Sequence, residues 1–213
     1  MASIVKRLPV YLVIDTSGSM AGENIEAVRQ GIKFVVSELR SEPSALETAC
    51  LSIITFGGTA QQVSPLVDLV AFQEPTIDAG GSTPLGEALE VLLECISREV
   101  RSSTPTQKGD GKPLVFLMTD GEPTDEWKPN AQKLKKRGFN VVCCAIGTDV
   151  ENATLKEISD QRVLIKNASP NDLKTFFKWV TMSIKTVSES VNGNPSGAPT
   201  NLPPPPPQIT IMP

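Results

Sequence analysis

Two periods of apolar residues alternate along the chain. Val10 to Ile14 is an unbroken apolar run closed by Asp15, the pattern of a strand buried on both faces. From Asn24 to Arg40, Ile25, Val28, Ile32, Val35, Val36 and Leu39 fall on one helical stripe. Ala49 to Phe56 predicts a second strand, stopped by Gly57-Gly58, and Gln61 to Val67 a short third strand turned back onto it at the sheet edge. Pro84 to Arg101 predicts a helix with Thr83 at its N-cap and Pro84 at its first position. Leu114 to Thr119 is another fully apolar strand, ending on Asp120. Lys128 to Arg137 predicts a helix closed by Gly138, Asn140 to Ile146 a strand, Thr154 to Ser159 a short helix and Val163 to Lys166 a last strand. A final helix opens at Ser169-Pro170 and keeps helical spacing to about Ser190.

This alternation requires an α/β fold of Rossmann-like form: a mostly parallel central sheet with one antiparallel edge strand and helices on both faces. It assigns residues 1–190 to one domain and leaves 191–213 as a proline-rich C-terminal tail. The tail carries no charged residue and eight of the 18 prolines. Such a composition cannot bury enough apolar surface to fold alone. Pro203 to Pro207 predict a polyproline II rod of about 15 Å, at roughly 3.1 Å per residue. Beyond it Ile209 and Ile211 flank Thr210 as in a strand, a segment suited to joining an exposed sheet edge or an apolar groove, on this molecule or another. The expectation is that the rod delivers this segment to a partner or a neighbouring copy, so that the tail offers a route to self-association.

Composition narrows the chemistry. The 213 residues hold 20 Lys plus Arg against 24 Asp plus Glu, a formal net charge of −4 that disfavours nucleic acid as a partner. Histidine is absent, which excludes Ser-His-Asp and Cys-His catalytic centres and most zinc sites. Cys50, Cys95, Cys143 and Cys144 lie in apolar stretches without metal-ligand spacing and read as buried free thiols of a reducing compartment. The apolar run near the start is too short and wrongly flanked for a signal peptide, and no stretch approaches the roughly 20 apolar residues of a membrane span. The expectation is a cytoplasmic protein that does not enter a membrane.

Three polar clusters fall at the carboxyl ends of elements, where open α/β sheets bind ligands. They are Asp15-Thr16-Ser17-Gly18-Ser19, Gly80-Gly81-Ser82-Thr83 and Thr119-Asp120-Gly121-Glu122. Together they offer two carboxylates and several hydroxyls, an all-oxygen set that suits Mg²⁺ with one or two carboxylates and retained waters. Two aspartates balance a divalent charge, and neutral hydroxyls add none. A cation so held keeps a position for an incoming carboxylate. Asp125 reads as a solvated turn or helix-start residue rather than a ligand, and Asp149 as a loop residue.

DTSGS after a buried strand, then GGSTP, then FLMTDGEPTD, resembles the metal-ion-dependent adhesion site of von Willebrand factor A domains. The likeness runs from residue 5 to about 190. It implies a metal shell of Asp15, Ser17, Ser19, Thr83 and Asp120, some of them acting through water, around Mg²⁺ or Mn²⁺, with a protein partner supplying a Glu or Asp. DTSGSMAGENIEAV, GGSTPLGEAL and CCAIGTDV are also similar to bacterial TerY-type proteins of tellurium-resistance clusters. That likeness implies a cytoplasmic stress-response protein working with a PP2C-type phosphatase and a protein kinase. Two other readings stand beside a non-enzymatic interaction module. A haloacid-dehalogenase-like phosphotransferase needs an acid/base Asp two residues after its nucleophile, where this chain has Ser17. A structural scaffold with a vestigial metal site is the other.

Overall fold

The computed structural model describes residues 6–105, 108–147, 151–166, 169–193 and 202–213. Its strands are β1 (Leu8–Asp15), β2 (Ala49–Gly57), β3 (Thr59–Asp68), β4 (Leu114–Thr119), β5 (Asn140–Ile146), β6 (Gln161–Ile165) and β7 (Ile209–Ile211). Its helices are α1 (Glu23–Arg40), α2 (Pro43–Thr48), α3 (Leu85–Glu99), α4 (Lys128–Arg137), α5 (Asn152–Ile158) and α6 (Pro170–Gly193). The sheet order is β3-β2-β1-β4-β5-β6-β7. The interior pairs from β2 to β6 are parallel, and β3 and β7 close the two edges antiparallel.

Strand alternation divides the core. Leu8, Val10, Leu12 and Ile14 of β1 face α1, α2 and α6, whereas Tyr11 and Val13 face α3, α4 and α5. Adjacent Cys143 and Cys144 likewise go to opposite faces, and all four cysteines are free and buried. Burial pushes the Cys143 thiol up to about 12, so it packs as a small apolar group. Among the described residues no helix is long and apolar enough to cross a membrane.

Two expectations are corrected and one element is added. The α3 helix starts at Leu85, with Pro84 in the cap position and no side-chain cap of its own, so Thr83 is not its N-cap. The six-residue α2 was not predicted; it is opened by Pro43 at its first turn. The sheet has two antiparallel edges instead of one, because Ile209–Ile211 pairs with β6 of the same chain: Val163 opposite Ile211, Leu164 opposite Thr210, Ile165 opposite Ile209. The structure seats the tail's strand on this chain's own sheet, at the outer edge of β6.

Candidate functional site

Strand order reverses between β1 and β4: the chain leaves β1 toward β2 on one side and returns to β4 on the other. At such a switch the following loops diverge and leave a crevice beyond the carboxyl ends. Ile14 pairs with Met118, which sets Asp15 and Thr119 next to each other and Asp120 just beyond.

Backbone bonds gather the three loops. Gly80 N–H donates to Thr16 O (2.7 Å), Gly18 N–H to Gly81 O (3.0 Å), Gly58 N–H to Ser82 O (2.9 Å) and Thr124 N–H to Thr83 O (3.0 Å). Gly81 is required here: its φ is +80°, and a β-carbon on it would lie 2.5 Å from Gly58 Cα. At Gly86 a β-carbon would lie 2.3 Å from Glu126 O, so glycine lets the loop after β4 close onto the start of α3.

Asp15 is fully buried, with 0% exposure. Its Oδ1 accepts Ser17 N–H (2.8 Å) and its Oδ2 accepts the Thr119 hydroxyl (2.6 Å). Desolvation raises its carboxyl above the ordinary value, against the opposing effect of bonds from Ser17, Thr119 and the Asp120 backbone. Asp120, half-buried, accepts Ser19 Oγ at 2.7 Å, and Ser19 Oγ lies 3.0 Å from Ser17 Oγ. The two carboxylates are thus joined through a pair of serines. Thr83 is buried, and a β-carbon on Gly121 would lie 3.6 Å from its Oγ1, which puts that hydroxyl beside the Asp120 loop. All five predicted residues therefore converge. Among the described residues no three His, Cys, Asp or Glu form a group that could by itself hold a metal ion. The set holds only two carboxylates with hydroxyls, which fits a hard cation needing few charged ligands.

Two acidic residues of the third loop have work that sequence reasoning missed. Asp125 reaches across space to cap α3, its Oδ1 accepting Gly86 N–H and its Oδ2 accepting Glu87 N–H, each at 2.9 Å. These are orphan donors of the first turn, and a carboxylate there also meets the positive end of the helix dipole. Glu122 accepts Glu151 N–H (2.5 Å) at the start of α5 and lies 3.4 Å from Thr154 Oγ1. A carboxylate five residues beyond Asp120 is a weak signal, since any loop can hold one. Asp149 lies outside the described residues.

A family model described as von Willebrand factor type A domain matches residues 10–179. Inter alpha-trypsin inhibitor, heavy chain 4 of Mus musculus is 25% identical over 166 residues, 70% of this chain and 17% of that protein. Collagen alpha-4(VI) chain of Mus musculus is 24% identical over 191 residues, 88% of this chain and 7% of that one. The chain therefore spans less than a fifth of either relative's length. Among solved structures, a von Willebrand factor type A protein from Catenulispora acidiphila superposes with a TM-score of 0.66 at 20% identity, covering 85% of this chain and 43% of that one. Proximal thread matrix protein 1 from the mussel byssus, solved with a zinc-occupied MIDAS motif, gives 0.60 at 20% identity, covering 86% and 46%. At these identities the structural likeness is one of fold.

Proposed function

The chain belongs to the von Willebrand factor type A domain family, and on that premise we propose that it is a metal-dependent protein-interaction module that binds through the loops at the ends of β1 and β4. The observation that carries this is the convergence of Asp15, Ser17, Ser19, Thr83 and Asp120 from three separate loops, with a buried Asp15 carboxylate that accepts from the neutral Ser17 N–H and Thr119 hydroxyl. Asp15 and Asp120 would supply the charge and the hydroxyls of Ser17, Ser19 and Thr83 would help hold Mg²⁺ or Mn²⁺, some of them through water. When bound, the cation supplies a Lewis-acidic point for a Glu or Asp side chain of the partner. The chain's own contribution is positional. Thr119 and Ser17 N–H fix the Asp15 carboxylate, and the glycine contacts hold Thr83 against the Asp120 loop. The zinc-occupied motif of the mussel byssus protein supports the metal assignment by analogy of fold.

The site is one for binding rather than turnover. Ser17 stands where a phosphotransferase needs its acid/base Asp, and histidine is absent. The TerY-like motif details further lead us to place the protein in the cytoplasm, in tellurite resistance or a related stress response, beside a PP2C-type phosphatase and a protein kinase. That placement rests on sequence likeness alone.

Thermal melting in Mg²⁺, in Mn²⁺ and in EDTA tests the metal assignment. A ligand that binds only the folded state adds RT ln(1 + [L]/Kd), about 2.7 kcal/mol at a hundredfold excess over Kd. Wild type is expected to melt higher with metal, and Asp15→Ala and Asp120→Ala to show no such rise. An equal response in wild type and Asp15→Ala would remove the site from these residues.

A further inference from the structure

The outer edge of β6 carries a second, separately built site. Residues 202–213 lie in it. Trp179 Nε1–H donates to Pro203 O (2.8 Å), holding the proline run against α6. Ile209 N–H donates to Pro206 O (2.8 Å), which turns the chain into the three ladder pairs with β6. Met212 N–H donates to Arg162 O (3.0 Å). Arg162, 4% exposed, then works as a clamp: Nε to Asn152 Oδ1 (2.9 Å), Nη1 to Ser159 O (2.8 Å) and Nη2 to Pro213 O (2.5 Å), with Asn152 Nδ2 donating to the same oxygen (3.1 Å). Ile209 is buried in the core on one sheet face, and Met212 packs against the core on the other.

The segment nonetheless fills the site incompletely. The ladder is three residues long, Ile211 is 66% exposed, and a cavity of about 340 Å³ remains between Trp179, Arg162, Leu202, Pro204 and Ile211. So short a ladder, with one apolar side chain in solvent, is a weakly held occupant.

We propose that the β6 edge, with Trp179 and Arg162, is a recognition groove for an extended segment in which a proline run is followed by hydrophobic-Thr-hydrophobic, and that residues 202–213 occupy it as a displaceable internal ligand that a second copy's 202–213 can replace. The occupant is identified by the one seated there: main-chain bonds give affinity, while Ile209, Met212 and the clamped Pro213 oxygen give register. Exchange of this segment between copies requires no new contact, only the same contacts made in trans. The proposal is independent of the metal site.

The full chain, labelled with ¹⁵N, is titrated with an unlabelled synthetic peptide of residues 202–213. The amide signals of Ile209 to Met212 are expected to shift to those of a released segment. A tethered ligand competes at an effective concentration in the mM range. Full-length Ile209→Asp, whose own segment is weakened, is therefore expected to bind fluorescein-labelled peptide about tenfold tighter than wild type. Adding Arg162→Met or Trp179→Phe should reverse that gain. Mixing Ile209→Asp, which keeps the groove, with Arg162→Met, which keeps the segment, should give a one-to-one dimer by light scattering. Unmoved Ile209 to Met212 signals, together with no peptide binding by Ile209→Asp, overturn the groove. If Ile209→Asp fails to fold, the wild-type titration decides alone. A mixture that stays monomeric overturns the exchange between copies.

Discussion

Both ends of the sheet bury charge, yet they handle it in opposite ways. At the amino ends of the strands the buried Asp110 is answered by a cation of the same chain, and Glu99 and Asp68 by side-chain donors. Asp110, its side chain 2% exposed, receives Arg7 Nε (2.9 Å), Arg7 Nη2 (2.7 Å) and Arg101 N–H (2.8 Å). Glu99 accepts the Tyr11 hydroxyl (3.1 Å) and Gln62 Nε2 (2.9 Å), and Asp68 accepts the Cys50 thiol (3.0 Å). The consequences are those of closed pairs. The Asp110 contact raises the Arg7 guanidinium, which stays charged, and burial with the Asp68 contact pushes the Cys50 thiol up to about 12. At the carboxyl ends Asp15 is buried just as deeply, but it accepts from a backbone N–H and a threonine hydroxyl, and Asp120 is tied to it through serines. Burial without a counter-charge is costly unless something outside the chain supplies it. The paired end fastens the fold, whereas the buried Asp15 carboxylate at the other end is held by neutral donors, as the proposed cation site requires.

The largest effect expected from this contrast lies at the paired end. Asp110→Ala strips three hydrogen bonds and leaves Arg7 half-buried without its carboxylate. Breaking such a pair by removing one partner costs about 3 kcal/mol. Urea denaturation should show that loss, and Mg²⁺ should not alter it, because residue 110 is at the far end of the sheet from the candidate metal residues. A metal-dependent loss would mean that the two ends are not separate devices.

A middle effect belongs to Asp125, which sits in the metal loop yet acts as a cap. Asp125→Ala deletes the acceptor of Gly86 and Glu87 N–H, and loss of an N-cap acceptor costs about 1–2 kcal/mol. Because α3 carries Thr83 just ahead of its first turn, a weaker metal response is expected alongside the lower stability. Asp125→Asn, which retains one acceptor oxygen, should recover part of both. An unchanged melting temperature in Asp125→Ala would show that the cap is dispensable.

These residues also mark how far the chain could be read without a structure. β4, α4 and β5 have the predicted bounds, since each is closed by chemistry visible locally: Asp120 after an apolar run, and Gly138 in the left-handed conformation at φ 63°. The convergence of the five candidate residues was legible because Asp15 and Asp120 close apolar runs and Thr83 stands just ahead of a helix. What escaped was long-range. The α3 helix is capped from residue 125 and not from Thr83, a contact 39 positions away that no window along the sequence contains. The six-residue α2 is too short to express a helical period. The tail's Ile-Thr-Ile was readable as strand-like, but the edge that receives it depends on β6 being outermost, a property of the assembled sheet.

The smallest expected effect tests the comparison most directly, because it reverses sign with one added ion. Asp15 has a carboxyl raised above its unfolded value by burial. Between the two values the folded chain retains a proton that the unfolded chain has lost, so without metal its contribution to stability falls as pH rises through that window. Above the raised value the cost is complete and constant. Asp15→Asn removes the titration while keeping an oxygen for Ser17 N–H. In EDTA at neutral pH the variant should be more stable than wild type by about 1 kcal/mol, the scale of one hydrogen-bonded polar group exchanged for another. That advantage should shrink as pH is lowered through the window. In Mg²⁺ the order should invert, since only the carboxylate gains from the cation. Urea midpoints of both proteins, measured across pH in EDTA and in Mg²⁺, give the four curves required. Parallel curves in all conditions would show that Asp15 is a closed structural group like Asp110, and the contrast between the two ends would disappear.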